Sequence, residues 1–369
     1  MSEERTNKER LPEDLTPGAY FPADLMPPGR AELLAMLKAY GFEAPGEKIK
    51  LMDTSHDAAD LRLNYLMDHR FVLRISNGPD LTERRLAELN RLIGRYRDFG
   101  LRAPAFLPDA KGYFLHSFGP LSVYLAEYVD LPLAYGLLQE NPGQIDGDAL
   151  WQEVLDSVAG FAERYKNVDL SETRGMYSLF ELSPFDREVG IDEKQQNFNT
   201  LMECLQELGE AELAARLLAR HETVRSRLRA LYRNLPQCVF QADENFSNVL
   251  VGPDGHMAGF IDFNLAGTEV IVNQFANLGG GFQEEVKEPI GAAKRLEMTL
   301  QDCQKYQDRM LSLYQATEEE KEALGLYTWI ALVAGWPQLC FFRAGLKNEA
   351  LKEEILELLW LLADTKYEG

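Results

Sequence analysis

The apolar residues of this chain change period partway along it, and that change fixes the class of fold. In the first 128 residues the segments KIKLMDTS (48–55), DLRLNYLMD (60–68), RFVLRIS (70–76), YFLHSF (113–118) and SVYLAEYV (122–129) read as strands. One helix interrupts them: ERRLAELNRLIGRYRDFG is apolar at Leu86, Leu89, Leu92 and Ile93 and closes at Gly100. A short amphipathic helix over 30–40, ended by Gly41, precedes the first strand. From Leu131 onward the spacing is helical, over 148–166, 194–207, 209–233, 292–314, 318–340 and 347–364. The exception is 238–263, where CVFQADENFSNVLVGPDGHMAGFIDF returns to strands. The pattern predicts an α+β chain with a small β-rich front lobe and a larger, mainly helical back lobe. The expected boundaries are a loosely ordered, proline- and charge-rich arm over 1–28, an N-lobe over 29–128 and a C-lobe over 129–369.

Composition narrows the partners. The 369 residues are 46% hydrophobic and 26% charged, the ordinary globular range. Lys plus Arg is 38 against 59 Asp plus Glu, a net charge of −21. Such a surface repels phosphate backbones and anionic lipid, and favours a cationic ligand or one arriving with Mg²⁺. Cys204, Cys238, Cys303 and Cys340 form no CxxC pair, so the expectation is four reduced, buried thiols. The N-terminal text lacks a signal-type apolar run, and the longest apolar stretches, 329–336 and 356–363, fall short of a membrane span. The expected location is the cytoplasm.

The segment 241–263 carries the chemistry. Gly252-Pro253-Asp254-Gly255 is a turn between two apolar strands. If Val251 faces His256, Asp262 lies opposite Asn245, and Asp243, Asn245, Asn248 and Asp262 share the open end of the hairpin. Buried carboxylates need a positive partner, and oxygen donors of this kind suit Mg²⁺ completed by substrate phosphates. An EF-hand reading fails, since Asn248 and Asp254 stand where that loop needs Gly and Glu.

Asp243-x-x-x-x-Asn248 followed by Ile261-Asp262-Phe263 resembles the catalytic loop and metal-binding Asp of the aminoglycoside phosphotransferase/choline kinase family. The family's text is close to HGDxxxxNxxV and then xIDF or xIDW. The resemblance implies a two-lobed protein-kinase-like fold, ATP and Mg²⁺ as cofactors, and transfer of the γ-phosphate to a hydroxyl of an aminoglycoside-, choline- or amino-alcohol-like molecule. It makes Asp243 the base for the acceptor hydroxyl, with Asn248 and Asp262 holding Mg²⁺ on the phosphates. Phe71-Val72-Leu73-Arg74 stands at the family's V-A-I-K position, so Val72 would meet adenine and Arg74 the α/β-phosphates. Glu88, with Glu83 as second choice, would pair with Arg74, and Glu127-Tyr128-Val129 would be the hinge at the adenine edge.

The chain departs from the family at several places. Gln241 replaces the His that braces the catalytic loop, and its amide can make the same hydrogen bonds. Arg74 replaces Lys, no Gly-rich loop precedes it, and Thr54-Ser55-His56 would have to meet the phosphates. The family's later acidic residue becomes Asn273-Gln274-Phe275-Ala276, and Gly279-Gly280-Gly281 suggests a mobile loop near the acceptor. These departures support a competing reading, a catalytically inactive kinase-like module that binds nucleotide or protein. Trp329, Trp336, Phe341 and Phe342 read as core or as acceptor-pocket lining, and Glu284, Glu285 and Glu288 as a solvated face or an attractor for a cationic acceptor. HEXXH, GXSXG and GXXXXGK patterns are absent, which removes the zinc protease, serine hydrolase and P-loop readings.

Overall fold

The computed structural model describes residues 28–43, 47–55, 61–78, 81–140, 143, 145–168, 193–282 and 288–365. His56, Glu284, Glu285 and, apart from Pro28, the arm expected over 1–28 lie outside the described residues. The chain divides into two compact units, 1–144 with 245–261, and 145–244 with 262–369.

The first unit is built on an antiparallel sheet. Its strands are β1 (Ile49–Asp53), β2 (Arg62–Met67), β3 (Phe71–Ser76), β4 (Phe106–Leu107), β5 (Leu115–Phe118) and β6 (Leu121–Glu127). They run in the order β1-β2-β3-β6-β4, with β5 also on β6. The alternation in the sequence decides its two faces. Leu73 stands opposite Tyr65 and Leu125, and Leu51 opposite Tyr65. These side chains, with Leu33, Met36 and Leu37 of helix α1 (Arg30–Lys38), form one buried cluster. Each such burial contributes about 1.5–3 kcal/mol. The other face carries Val72 and Arg74, opposite Ala126 and Tyr124. Helix α2 (Glu83–Asp98) starts at Thr82, whose side chain accepts the Arg85 N–H. The Glu83 carboxylate receives the Phe114 and Leu115 N–H groups at 2.9 and 2.7 Å, and so organises the entry to β5.

A hairpin of β8 (Val249–Val251) and β9 (Met257–Phe260) completes this unit, with α3 (Ala134–Glu140) beside β8. Its register corrects the expected pairing. Val249 faces Phe260 and Val251 faces Met257, with an irregularity between Leu250 and Val251. The turn holds one more residue than expected: Gly252 N–H reaches the His256 carbonyl at 2.8 Å, and Gly255 takes φ 82°. β9 lies against the α2–β4 connection, where Arg102 N–H donates to Ala258 O at 2.7 Å and Phe260 N–H to Arg102 O at 2.9 Å.

The second unit is mainly helical. It comprises α4 (Gly147–Tyr165), α5 (Glu193–Glu207), α6 (Ala211–Leu231), α7 (Ile271–Leu278), α8 (Ala292–Leu313), α9 (Glu318–Ala334), α10 (Trp336–Leu346) and α11 (Lys352–Asp364). A two-stranded ladder joins β7 (Gln237–Phe240) to β10 (Gly267–Val270). The single helix expected over 318–340 is two, because Gly335 turns extended and Pro337 opens a new first turn. Trp329, Phe341 and Phe342 are core, whereas Trp336 is exposed. Of the four thiols expected to be buried, Cys204 and Cys340 are only half-buried. Among the described residues no single helix is long and apolar enough to cross a membrane. The bent pair α9–α10 meets that test by length and composition, with most of its apolar residues packed in the core.

A buried ion pair lies among the described residues of this unit. Arg295 Nε lies 2.7 Å from Glu354 Oε1, and Glu354 Oε2 accepts Gly291 N–H at 2.7 Å. Arg295 also reaches the Glu288 carbonyl and stacks its guanidinium over Phe341. Replacing Glu354 with Ala strands a buried cation, so urea unfolding of this variant is expected to show a loss of about 3–5 kcal/mol.

Candidate active site

The β7–β10 ladder sets Phe240 opposite Gly267, and the segments that leave this end, from Gln241 and back to Ala266, are therefore close. Gln241 is fully buried between them. Its Nε2 donates to the Asp262 carbonyl at 2.5 Å, and its Oε1 accepts the Asp243 N–H at 2.7 Å. One amide thus ties the backbone of Asp243 to that of Asp262. Both neighbourhoods are conformationally unusual: Ala242 has φ 67° and Asp262 φ 54°. Asp tolerates the left-handed region, while Ala there costs about 1–2 kcal/mol. Ala242 stands where the family text has Gly. The Asp262 side chain accepts the Asn264 N–H at 3.4 Å, a long contact within its own loop.

Glu244, which the sequence reading passed over, is almost wholly buried beside Asp243. Its Oε1 accepts the Ala242 N–H at 3.3 Å and its Oε2 accepts Gln274 Nε2 at 2.8 Å. Burial pushes its carboxyl up to about 7 against these hydrogen bonds, and the nearby Asp243 charge adds to the rise. Gln274 lies in the segment read as the replacement for the family's later acidic residue; it is buried on α7.

In the first unit, Asn248 is buried at the entry to β8. Its N–H bonds the Asn245 carbonyl, and its own carbonyl accepts the Ile261 N–H, both at 2.9 Å. Arg74 Nε donates to Asn64 Oδ1 at 2.9 Å, and its guanidinium lies 5.6 Å from the Tyr124 ring centre. Glu88 accepts Arg84 Nε at 2.9 Å, one turn away on α2. Thr54 and Ser55 contact Arg62: Thr54 Oγ1 donates to its carbonyl, and Ser55 Oγ accepts its N–H.

The segment after β6 is held at its two ends and open between them. Glu127 pairs with Arg97 and exchanges backbone contact with Ala105, its N–H meeting the Ala105 carbonyl at 2.8 Å. Tyr128 N–H donates to Arg70 O at 3.2 Å, and the Val129 carbonyl accepts Leu131 N–H at 2.9 Å. Among the described residues the Val129 N–H makes no hydrogen bond. A cavity of about 820 Å³ adjoins this segment, lined by Arg97, Arg102, Glu127, Tyr128, Val129 and Asp130 among others. Neither Val72 nor Arg74 lines it.

Against this geometry stand the comparisons with known proteins. No curated protein matches the chain. Among solved structures, a microcompartment-associated aminopropanol kinase is similar at TM-score 0.52 and 13% identity, over 89% of this chain and 94% of that one. An aminoglycoside phosphotransferase from Alicyclobacillus acidocaldarius has TM-score 0.47 and 13% identity, over 92% and 96%. Spectinomycin phosphotransferase APH(9)-Ia, in complex with ADP and spectinomycin, has TM-score 0.45 and 11% identity, over 90% and 98%. The first of these shows the fold, which is kinase-like. The profile of the phosphotransferase enzyme family (APH) matches residues 57–296, which contain β2 to β10 and the whole of 241–263, and the chain belongs to that family.

Proposed function

We propose that this phosphotransferase moves the γ-phosphate of ATP to a hydroxyl of an aminoglycoside-, choline- or amino-alcohol-like small molecule in the cytoplasm. The observation that carries the reading is Gln241, whose single amide fixes Asp243 and Asp262 side by side in a family of phosphotransferases. Asp243 is the base: it accepts or orients the proton of the acceptor hydroxyl, and its backbone is held before substrate arrives. The donor set suits Mg²⁺, since Asp262 offers a carboxylate and Asn248 an amide oxygen to an ion that keeps waters and takes phosphate oxygens. When bound, Mg²⁺ neutralises charge on the β- and γ-phosphates.

We assign the remaining roles to residues of the N-lobe and the hinge. Arg74, steadied by Asn64 and Tyr124, presents a fixed cation to the α/β-phosphates. Val72, on the same face of β3, packs on adenine, and Glu88 on α2 can pair with Arg74 only by releasing Arg84, whose Nε it accepts in this structure. The Glu127–Val129 segment is the hinge, with the Val129 N–H available for the adenine edge. In this reading 29–128 forms the nucleotide-binding lobe and 129–369 the lobe carrying the catalytic loop and the acceptor site. A net charge of −21 favours a cationic acceptor.

The test is ADP formation from Mg·ATP across a panel of choline, aminopropanol, aminoglycosides, sugars and amino acids. Turnover with a cationic amino alcohol supports the reading, and ADP formation with none of them counts against it. Asp262→Ala is expected to weaken Mg·ATP binding by at least 10-fold while leaving metal-free ATP binding unchanged. Calorimetry reads both, and equal Mg·ATP affinity in the two proteins removes Asp262 from the metal site.

A further inference from the structure

We infer that Glu244 is a positioning residue for Asp243: its buried carboxylate clamps the backbone before the base, and Gln274 holds that carboxylate in place. The inference rests on the assignment of Asp243 as the base. Asp243 lies between two clamps. On one side Gln241 Oε1 receives its N–H at 2.7 Å. On the other, Glu244 folds back so that Oε1 accepts the Ala242 N–H at 3.3 Å, while Oε2 takes Gln274 Nε2 at 2.8 Å.

The clamp has a definite mechanical task. Ala242 sits at φ 67°, where a side-chain-bearing residue is disfavoured, and a free peptide would relax toward negative φ. That rotation would swing the Asp243 carboxylate. An acceptor fixed on the Ala242 N–H opposes it. The acceptor must itself be immobile, and Glu244 and Gln274 are each only 3% exposed. A carboxylate in so dry a place, next to another carboxylate, is costly, and an apolar side chain of similar size would avoid the cost. What the carboxylate supplies instead is two acceptor oxygens aimed in opposite directions, both of them used. Glu244 makes no contact with acceptor or phosphate in this scheme; it acts through the backbone.

The chemistry of Gln274 suggests the discriminating variant. Among the described residues its Oε1 is buried without a partner. In Glu244→Gln, the new amide keeps an oxygen for the Ala242 N–H, and Gln274 can turn its idle Oε1 toward the new NH₂. Glu244→Ala removes both contacts.

The experiment compares the two variants in the full chain by three readouts: hydrogen exchange of the peptide spanning 240–248, ADP formation from Mg·ATP with water or the panel acceptor, and KM for ATP. Glu244→Ala is expected to speed exchange in that peptide and to lower kcat by about 10²-fold, with KM for ATP within about two-fold. Glu244→Gln is expected to keep kcat within about three-fold of the parent and exchange near it, because the hydrogen bonds are re-formed. Unchanged exchange and kcat in Glu244→Ala overturn the inference. So does a parallel loss of kcat, ATP affinity and thermal stability in both variants, which describes an ordinary core residue. Asp243→Asn run alongside separates the two claims. Full turnover in that protein defeats the base assignment, while the exchange data still report on the Glu244 clamp alone.

Discussion

Asp243→Asn is expected to lower kcat by roughly 10²–10⁴-fold, the range over which a positioned general base contributes. The substitution is nearly isosteric, and the bond from the residue 243 backbone N–H to Gln241 does not involve the altered side chain. The loop should therefore keep its path, Gln241 should still meet the Asp262 carbonyl, and nucleotide affinity should stay within a few-fold of the parent. What the substitution removes is the carboxylate proposed to take the acceptor proton. Steady-state kinetics with a responsive acceptor, together with calorimetric ATP affinity, give the two numbers needed. A variant with normal kcat would mean that Asp243 does no proton chemistry; one with lost ATP affinity would mean that it serves binding.

Gly259→Ala is expected to produce the largest stability loss of any Gly→Ala substitution among the described residues. Gly259 sits in β9 where the strand meets Arg102, and a Cβ there would lie 1.9 Å from the Arg102 carbonyl oxygen and 2.5 Å from its nitrogen. Both are backbone atoms already bonded to Ala258 and Phe260, so nothing flexible can give way. To admit the methyl, β9 must lift from the α2–β4 connection and forfeit both hydrogen bonds, with a cavity opening around Phe260 and Tyr96, whose rings meet edge to face at 5.9 Å. The expected cost is about 4–5 kcal/mol, at the upper end of single substitutions. For a chain of 369 residues that corresponds to a fall in Tm of about 5–6 °C. Gly136→Ala in α3 is the control, because a Cβ there meets nothing within 4 Å and alanine favours helix. Thermal unfolding of the pair by circular dichroism decides the matter: equal Tm values would show that the hairpin is not seated on Arg102. Since Asn248 enters this hairpin, Mg·ATP affinity should fall with stability in Gly259→Ala.

How far the sequence could be read depends on how local each signal is. Strands with strict alternation, such as β3 with its Leu73 face and Arg74 face, declare themselves because one side of the sheet is buried. Helix α2 does so through its apolar stripe and the Gly100 that closes it. The elements that went unread lack local signals. β4 is two residues long and is fixed by β6 pairing and by Asn90 Oδ1 accepting the Phe106 N–H at 2.8 Å. α7 follows β10 directly with no side-chain cap and is only eight residues long, about two turns, so its period is too short to stand out. The hairpin register failed for a related reason: a bulge between Leu250 and Val251 leaves no trace in apolar spacing.

The candidate site divides along the same line. The spacing of Asp243, Asn248 and Asp262 is written in the text, and Gln241 was legible as a brace because a glutamine amide can both donate and accept. Glu244 was not, because its meaning depends on Gln274, thirty positions away on a helix that the sequence did not announce. Adjacent acids usually read as a solvated loop. Only the fold shows that one of them is dry.

The most direct test of the phosphotransferase reading is calorimetric titration of the full chain with ATP, with and without Mg²⁺. Saturable binding that tightens when Mg²⁺ is present, and that loses this gain in Asp262→Ala, is the expected result. Absence of binding under both conditions would contradict it and leave a kinase-like fold that no longer handles nucleotide.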